Sequence, residues 1–311
     1  MNVTCYGSRG SLPSPSRKGF STIEYGGNTS CYFIEAGPFN IILDAGSGIK
    51  TLGDDLMRTG RGVGKRFIHL ISHYHWDHIQ GLPFFVPYYI GTNKFEIHGH
   101  TPAGEEKNGH VISVVERMLA EQQAPPHFPV GHESLPALKT YVGHPRLFSE
   151  MTIFRADDAG NLVDAGPEAK HFMKITTIPL NHPDGGLGYR IDYDGHSVAY
   201  CTDNEPLRHP NAQINKICKD VDILILDGQY TEEQLMGPTQ CFGHGTPRSC
   251  VEQAKACNAK NLWIHHHDIP SDDDKLYQME LTAQKYARDM GFYDCLIGLA
   301  REGWVYDFKC S

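Results

Sequence analysis

The sequence lacks any apolar run of the ~18 residues that indicate a membrane-spanning helix. Its opening, MNVTCYGSRG, has no apolar core of a secretion signal. Basic residues are in the minority, 28 against 37 acidic ones, and the net charge is −9 with histidine neutral. Such a protein binds nucleic acid and anionic membranes poorly. We therefore expect a cytoplasmic protein with no membrane contact and no stable nucleic-acid binding.

A disulfide framework is also missing from the pattern, because the 9 cysteines are scattered, odd in number and spread over 311 residues. We expect reduced thiols. A hydrophobic fraction of 40% supplies a sizeable core and excludes a disordered chain. Histidine, in contrast, is abundant at 18 residues, which suggests metal or acid–base chemistry.

Alternating or short apolar runs predict strands over residues 2–6, 30–36, 40–43, 66–72, 94–98, 172–178, 187–193, 196–201, 221–226 and 261–265. Helical spacing predicts helices over 47–58, 111–122, 211–219, 246–257 and 275–290. Residues 125–167 are rich in proline, glycine and histidine and are predicted to be irregular. Mixed sheets covered by helices, an α/β (α+β) fold, would bury these runs. We predict a single domain over 1–311, with an irregular insertion around 100–170.

The most informative segment is SHYHWDHIQG, which directly follows the apolar run RFIHLIS. Alternate residues of an extended segment point the same way, so His73, His75 and Asp77 can converge, and His78 adds a donor as the chain turns. Imidazole nitrogens and carboxylate oxygens suit zinc and similar divalent ions. Four donors within six residues exceed what a single ion takes from one loop, which indicates two adjacent metals.

The run HYHWDH resembles the HxHxDH signature of metallo-β-lactamase-fold hydrolases. Further motifs of that family follow in order as PLNHPDGGLGYRI, AYCTDNE and LWIHHHDIP. The segments GSRGS, YGGNTSC and GHGTPRS are similar to its phosphodiesterase branch, which includes ribonuclease Z, a phosphonate-pathway phosphodiesterase and cyclic-nucleotide phosphodiesterases. The resemblance implies a four-layer αββα sandwich with the metals at one edge.

The resemblance also implies two divalent ions per chain, zinc in the first place and manganese as the alternative. The ligands that it implies are, for one ion, His73, His75 and His182; for the other, Asp77, His78 and His266; and, bridging both, Asp203. The contiguous HHH run leaves His265 open as an alternative last ligand.

Catalysis is assigned to Asp77 and to His244, which opens a helical run in GHGT. In the similar branch, a histidine at this place contacts the phosphate and protonates the leaving group. The start of the helix would add N–H groups for a phosphate oxygen. A capping or core histidine is the alternative.

Four residues are weaker candidates. Asp44 ends the run IILD and would orient a metal ligand, or else form a turn. Ser8 and Arg9 lie on a glycine-containing loop and would contact an anionic substrate, or else form a surface turn. Phe128, in PPHFPV, would stack on a base or ring, or else pack in the core.

These assignments predict a dinuclear hydrolase in which a hydroxide shared by the two ions attacks a phosphodiester. We expect a small anionic substrate, most simply a small or cyclic nucleotide, because acidic residues outnumber basic ones in the 100–170 segment. The main alternative is a lactonase or thioesterase on the same fold. A tRNA-processing endonuclease and a non-catalytic metal-binding regulator are less favoured, and the oligomeric state is left open between monomer and homodimer.

Overall fold

The computed structural model describes residues 1–101, 113–164, 166–206, 210–237 and 239–309. The strands in these ranges are β1 (Asn2–Gly7), β2 (Cys31–Ala36), β3 (Phe39–Leu43), β4 (Arg66–Leu70), β5 (Lys94–His100), β6 (Leu138–His144), β7 (Met151–Ala156), β8 (His171–Leu180), β9 (Gly186–Tyr193), β10 (His196–Cys201), β11 (Ile223–Asp227), β12 (Asn261–His265), β13 (Leu296–Leu299) and β14 (Val305–Asp307). The helices are α1 (Gly48–Arg58), α2 (Trp76–Ile79), α3 (Val114–Gln122), α4 (Ala212–Ile217), α5 (Glu232–Leu235), α6 (Pro247–Cys257) and α7 (Asp273–Asp289). None of the described helices is long and apolar enough to cross a membrane.

The described strands form two mixed sheets of seven strands each. The first sheet has the order β14-β1-β2-β3-β4-β5-β6, and the second has the order β13-β12-β11-β10-β9-β8-β7. In the first sheet, β3 to β6 run parallel to one another. In the second sheet, β10 to β13 are parallel. The carboxyl ends of these parallel strands are where polar side chains of an α/β protein can gather.

Three apolar clusters hold the layers together. The inner cluster joins the facing sides of the two sheets and contains Ile68 and Leu70 of β4 and Ile225 of β11. On the outer side of the first sheet, α1 and α3 pack against the strands, and on the outer side of the second sheet α4, α6 and α7 do so. Because both faces of the central strands are covered, runs such as RFIHL and ILILD show no polar alternation. The predicted α/β architecture with four αββα layers is confirmed.

The prediction that residues 125–167 are irregular is wrong for two stretches of this segment. Strands β6 and β7 lie there, and each forms the edge of one sheet. Half-exposed strands at sheet edges carry weak apolar patterns: in β6, for example, only His144 is fully buried. The predicted helix over 111–122 is observed from Val114 onward, and residues 111–112 lie outside the described residues. Within the predicted insertion, residues 102–112 and 165 lie outside the described residues.

Candidate metal centre

Strand ends from both sheets bring the predicted ligands to one edge of the sandwich. The segment after β4 carries His73 and His75 and continues into α2, which carries Asp77 and His78. The second sheet contributes His182 just after β8, Asp203 just after β10 and His266 just after β12. The structure therefore brings all seven predicted ligands together, although they are spread over 194 positions of the chain from 73 to 266.

The three-histidine group of His73, His75 and His182 has donor atoms within 4.8 Å of one another. Nε2 of His73 and both ring nitrogens of His182 are buried without a hydrogen-bond partner. Unpaired buried polar atoms are costly, and a bound cation would satisfy them. Burial lowers the pKa of His182 to about 4 and that of His73 well below its usual range, so both rings are neutral, as metal ligation requires. These residues fit a divalent ion.

The second group consists of Asp77, His78 and His266. Oδ2 of Asp77 lies 3.2 Å from Nε2 of His78 and 3.0 Å from Nε2 of His266, and the two Nε2 atoms are 3.3 Å apart. Burial opposes the charge on Asp77, but the neighbouring His78 and His266 outweigh it and hold the pKa of the carboxyl well below its usual range. One ionised carboxylate and two imidazoles facing a common point form a second divalent-ion site.

Asp203 lies between the two groups. Its Oδ1 is 3.9 Å from Nε2 of His73 and 3.2 Å from Nε2 of His266, while Oδ2 is 3.3 Å from Nε2 of His78. Burial raises the pKa of this carboxyl, but His266, His78 and His73 together lower it well below its usual range. An ionised carboxylate in this position can bridge two ions.

The structure places His266, and not His265, in this cluster. Nε2 of His265 lies 2.9 Å from Oγ1 of Thr202, and its ring packs against Tyr32 and Tyr200 in the inner core. His266 turns away because its backbone is left-handed, with φ of 67°. Asp203 and Asp44 also have positive φ, 50° and 57°. Such strained backbone is typical of functional sites.

The carboxylate of Asp44 orients the predicted metal ligand His78. Its Oδ2 accepts a hydrogen bond from Nδ1 of His78 at 2.7 Å, from the hydroxyl of Tyr200 at 2.6 Å and from the hydroxyl of Ser72 at 2.8 Å. Its Oδ1 accepts the backbone N–H of Ser72 at 2.7 Å. This arrangement fixes Nδ1 of His78 as the protonated nitrogen and leaves Nε2 for a metal. The orienting role that the sequence suggested for Asp44 has its physical basis here.

Asp184 was missed by the sequence analysis. Its Oδ2 lies 3.0 Å from Nε2 of His75, so this ring donates there and presents Nδ1 to the three-histidine group. The side chain of His75 is 44% exposed, and the site therefore opens to solvent on this side. Only the phrase HPDGG in the motif around His182 could have pointed to this carboxylate.

His244 forms a buried pair with Asp227, a second residue that the sequence analysis missed. Nδ1 of His244 donates to Oδ2 of Asp227 at 2.7 Å and lies 3.6 Å from Oδ1 of Asp203. Burial lowers the pKa of His244, but Asp227 outweighs it and raises the pKa to about 9. The imidazole stacks on His266 at 4.9 Å. Asp227 is the last residue of β11. A carboxylate at the end of the buried run ILILD was the sequence signal that could have identified it.

The expected N–H groups at the start of α6 are partly taken. Thr246 and Ser249 form a capping box in which the Thr246 N–H donates to Oγ of Ser249 and the Ser249 N–H donates to Oγ1 of Thr246. Two of the N–H groups at this terminus are therefore not available to a phosphate, which corrects that part of the prediction.

Ser8 and Arg9 were predicted to bind substrate, which requires side chains that solvent can reach. Both are fully buried. The hydroxyl of Ser8 donates to the Tyr25 carbonyl at 3.0 Å, and Nε of Arg9 donates to the Gly26 carbonyl at 2.8 Å. Their side chains hold the loop, so the prediction of direct substrate contact is wrong. The loop reaches the site instead through the backbone N–H of Ser11, which donates to Oδ2 of Asp77 at 2.8 Å.

Phe128 lies edge-on to Phe84, with ring centroids 5.6 Å apart. Phe84 is 57% exposed, and Trp76, which separates the ligands His75 and Asp77 in the chain, is 77% exposed. Aromatic surface is therefore present beside α2. Stacking of Phe128 on a substrate stays a prediction.

The fold and this cluster of donors define a metal-dependent hydrolase with a dinuclear site at the sandwich edge. The family model of the beta-lactamase superfamily domain matches residues 40–267, and the chain belongs to this family.

The relatives agree with the branch that the motifs predicted. Ribonuclease Z of Agathobacter rectalis is 22% identical over 314 residues, covering 92% of this chain and 95% of the relative. The metallo-beta-lactamase fold protein YhfI from Bacillus subtilis has a TM-score of 0.62 at 18% identity, covering 98% of each chain. A diphosphatase from the PhnP family has a TM-score of 0.62 at 17% identity, covering 99% of this chain and 97% of that one.

Asp203→Ala should remove the link between the two groups of donors. We expect wild-type protein, purified with added metal, to carry close to two ions per chain, and the variant to carry one or fewer. Activity should fall at least ~100-fold, because losses around a metal site typically cost 10–100-fold even for outer residues. Elemental analysis and turnover measure both, and an unchanged Tm shows that the fold persists. Two ions with near-normal turnover in the variant would contradict a bridging role.

Gly10→Ala should displace the ring of His266 without replacing any metal-donor residue. A Cβ built at Gly10 lies 2.3 Å from Cε1 and Nδ1 of the His266 ring, which is too close for real atoms. We expect metal affinity to fall by ~10–100-fold as the ring shifts. Gly91→Ala is the matched control, because its Cβ would have its nearest atom at 3.7 Å. Equal metal affinity for both variants, measured by chelator competition, would rule out this contact as a determinant of the site.

Proposed function

We propose that the protein is a dinuclear metal-dependent phosphodiesterase that acts on small or cyclic nucleotide-type phosphodiesters. The observation that carries the proposal is the pair of His244 and Asp227 beside the bridging position of Asp203. A hydrogen-bonding imidazole held next to two cation sites suits a phosphodiester, whose transition state spreads negative charge over several oxygens. Carbonyl chemistry, as in a lactonase, develops a single oxyanion and needs fewer positive groups.

Two divalent ions, when bound, supply a hydroxide nucleophile near neutral pH and neutralise part of the charge on the phosphate. The chain's own residues do the rest. Asp203 fixes the spacing between the two donor groups, and Asp44 and Asp184 orient His78 and His75. His244, held through Nδ1 by Asp227, would donate a proton from Nε2 to the departing alkoxide oxygen.

Zinc is the ion that we propose, with manganese as the alternative. The described donors are imidazole nitrogens and carboxylate oxygens, and zinc accepts both in catalytic sites. The positive charge of the ions also explains how a chain of net charge −9 binds a small anionic substrate.

A small substrate is favoured by the surface beside the site. The exposed rings of Trp76 and Phe84 offer stacking faces for a base, and stacking binds nucleotides without a basic groove. The net charge of −9 disfavours a long polyanion, which proteins grip by many lysine and arginine contacts to phosphates. For the same reason we propose no stable nucleic-acid partner and no membrane partner.

Processing of tRNA is the second candidate, because the curated relatives that match are ribonucleases Z. Their identity of 22% over most of the chain supports this candidate as well as a small-molecule enzyme on a shared fold. The two candidates differ in substrate size and not in the chemistry of the site.

We also infer work in a reducing compartment, such as the cytoplasm. The cysteines that the structure describes are all free thiols, and all but Cys241 are buried.

A substrate comparison tests the proposal. With zinc or manganese, we expect hydrolysis of bis(p-nitrophenyl) phosphate and of 2′,3′- or 3′,5′-cyclic AMP, and kcat/KM for a precursor tRNA with a 3′ trailer at least ~10-fold lower. The Asp203→Ala protein is the control for contaminating nucleases. Faster cleavage of the precursor tRNA would favour the second candidate. Turnover of a lactone without turnover of any phosphodiester would overturn the proposal.

His244→Ala separates proton donation from binding. A nucleotide diester has a poor alkoxide leaving group, so its hydrolysis should slow by the ~10²–10⁴-fold that general acid catalysis is worth. p-Nitrophenolate leaves without protonation, so bis(p-nitrophenyl) phosphate should lose much less rate. His171→Ala is the control, since His171 begins β8, its ring bonds to the Tyr193 hydroxyl, and it belongs to none of the donor groups among the described residues. Equal losses on both substrates would mean that His244 binds the phosphate and donates no proton.

A further inference from the structure

A second cavity lies at the end of β4 opposite to the metal centre. Its volume is about 650 Å³. The cavity is lined by the starts of β4 and β5, by the turn between β2 and β3, and by residues 159–162 between β7 and β8. None of its lining residues is among the metal donors, so it is separate from the site described above.

Four cationic side chains line this cavity: Arg61, Lys65, Arg66 and Lys94. The single carboxylate of the lining, Glu35, is already bound by Nη1 of Arg61 at 2.7 Å. The other three cations are exposed, and none of them has a carboxylate partner among the described residues. Three unneutralised cations at one concave place are notable in a chain with a net charge of −9.

The strand register makes this arrangement unfavourable in the free protein. Arg66 and Lys94 are direct partners in the parallel pairing of β4 and β5, and the N–H of Lys94 donates to the Lys65 carbonyl at 2.9 Å. Like charges directly opposite each other destabilise a sheet. An anion placed between them would remove this repulsion.

We propose that this cavity is a second anion site, which takes a small ligand with two or more linked phosphate groups. The three free cations match several negative charges. A concave space of about 650 Å³ suits a small molecule better than a duplex or a membrane surface. The lining contains no aromatic side chain that would stack on a base, so the phosphates themselves are recognised. Inorganic oligophosphate and the phosphate tail of a nucleoside triphosphate share this chemistry.

Isothermal titration of the full-length protein with tripolyphosphate tests the site. The ligand is added as its magnesium salt so that it does not strip ions from the metal centre. Removing three positive contacts in the variant Lys65→Gln/Arg66→Gln/Lys94→Gln should raise Kd at least ~10-fold, because charge-assisted hydrogen bonds to phosphate are lost. Its phosphodiesterase activity should stay unchanged. The single variant Lys94→Gln, with a smaller increase in Kd, serves if the triple variant does not fold.

Matched variants make the result decisive. Lys216→Gln/Lys219→Gln/Lys285→Gln removes three exposed charges elsewhere and should keep the wild-type Kd. Asp203→Ala, which impairs the metal centre, should also keep it. Binding that is lost in Asp203→Ala and kept in the cavity variant would overturn the proposal, as would equal weakening in the two triple variants.

The choice of ligand identifies the source of the phosphates. Adenosine triphosphate and tripolyphosphate should bind with Kd values within ~10-fold of each other, and adenosine should not bind. Tight binding by tripolyphosphate alone would support the site and assign it to inorganic oligophosphate. Tighter binding of a short RNA than of either ligand would overturn the proposal, because it would make the surface a nucleic-acid contact.

Discussion

The carboxylate of Asp203 joins metal donors that come from the two different sheets. It comes from the end of β10 in the second sheet, yet two of its imidazole neighbours, His73 and His78, follow β4 in the first sheet. A site of this kind exists only while the carboxyl ends of the parallel strands of both sheets face the same edge. The inner core, which sets the distance between the sheets, therefore also sets the distance between the donors.

A hydrogen-bonded chain links the inner core to the site. Tyr200 packs in the inner core from the second sheet, and its hydroxyl donates to Asp44 after β3, which in turn accepts from His78. These groups are fully buried, so each of them must be paired to avoid a desolvation cost. Packing between the sheets therefore fixes the orientation of the His78 ring. For the same reason, the buried side chains of Ser8 and Arg9 are paired with backbone carbonyls. These bonds hold the loop from which the Ser11 N–H donates to Asp77.

Local apolar runs were sufficient to predict mixed sheets covered by helices, and the spacing of HYHWDH was sufficient to predict four donors. The four-layer sandwich and the donors His182, Asp203 and His266 were predicted only through the resemblance to metallo-β-lactamase-fold hydrolases. The sequence was not sufficient for partners that meet only in three dimensions. Asp227 and Asp184 occur in ordinary strand-end and turn contexts, and their meaning comes from His244 and His75, which are distant in the chain. Strands β6 and β7 were missed because edge strands lack a continuous apolar face. The buried state of Arg9 likewise depends on the carbonyls of Asp268 and Ser271, more than 250 residues away.

The donors of the metal centre contain no sulfur. Every candidate group in the described part of the chain consists of imidazoles and carboxylates, while the described thiols lie elsewhere. Nitrogen and oxygen donors rank divalent metals by the general order of complex stability and offer little selectivity of their own. We therefore expect the supply of metals during folding to influence which ion occupies the centre.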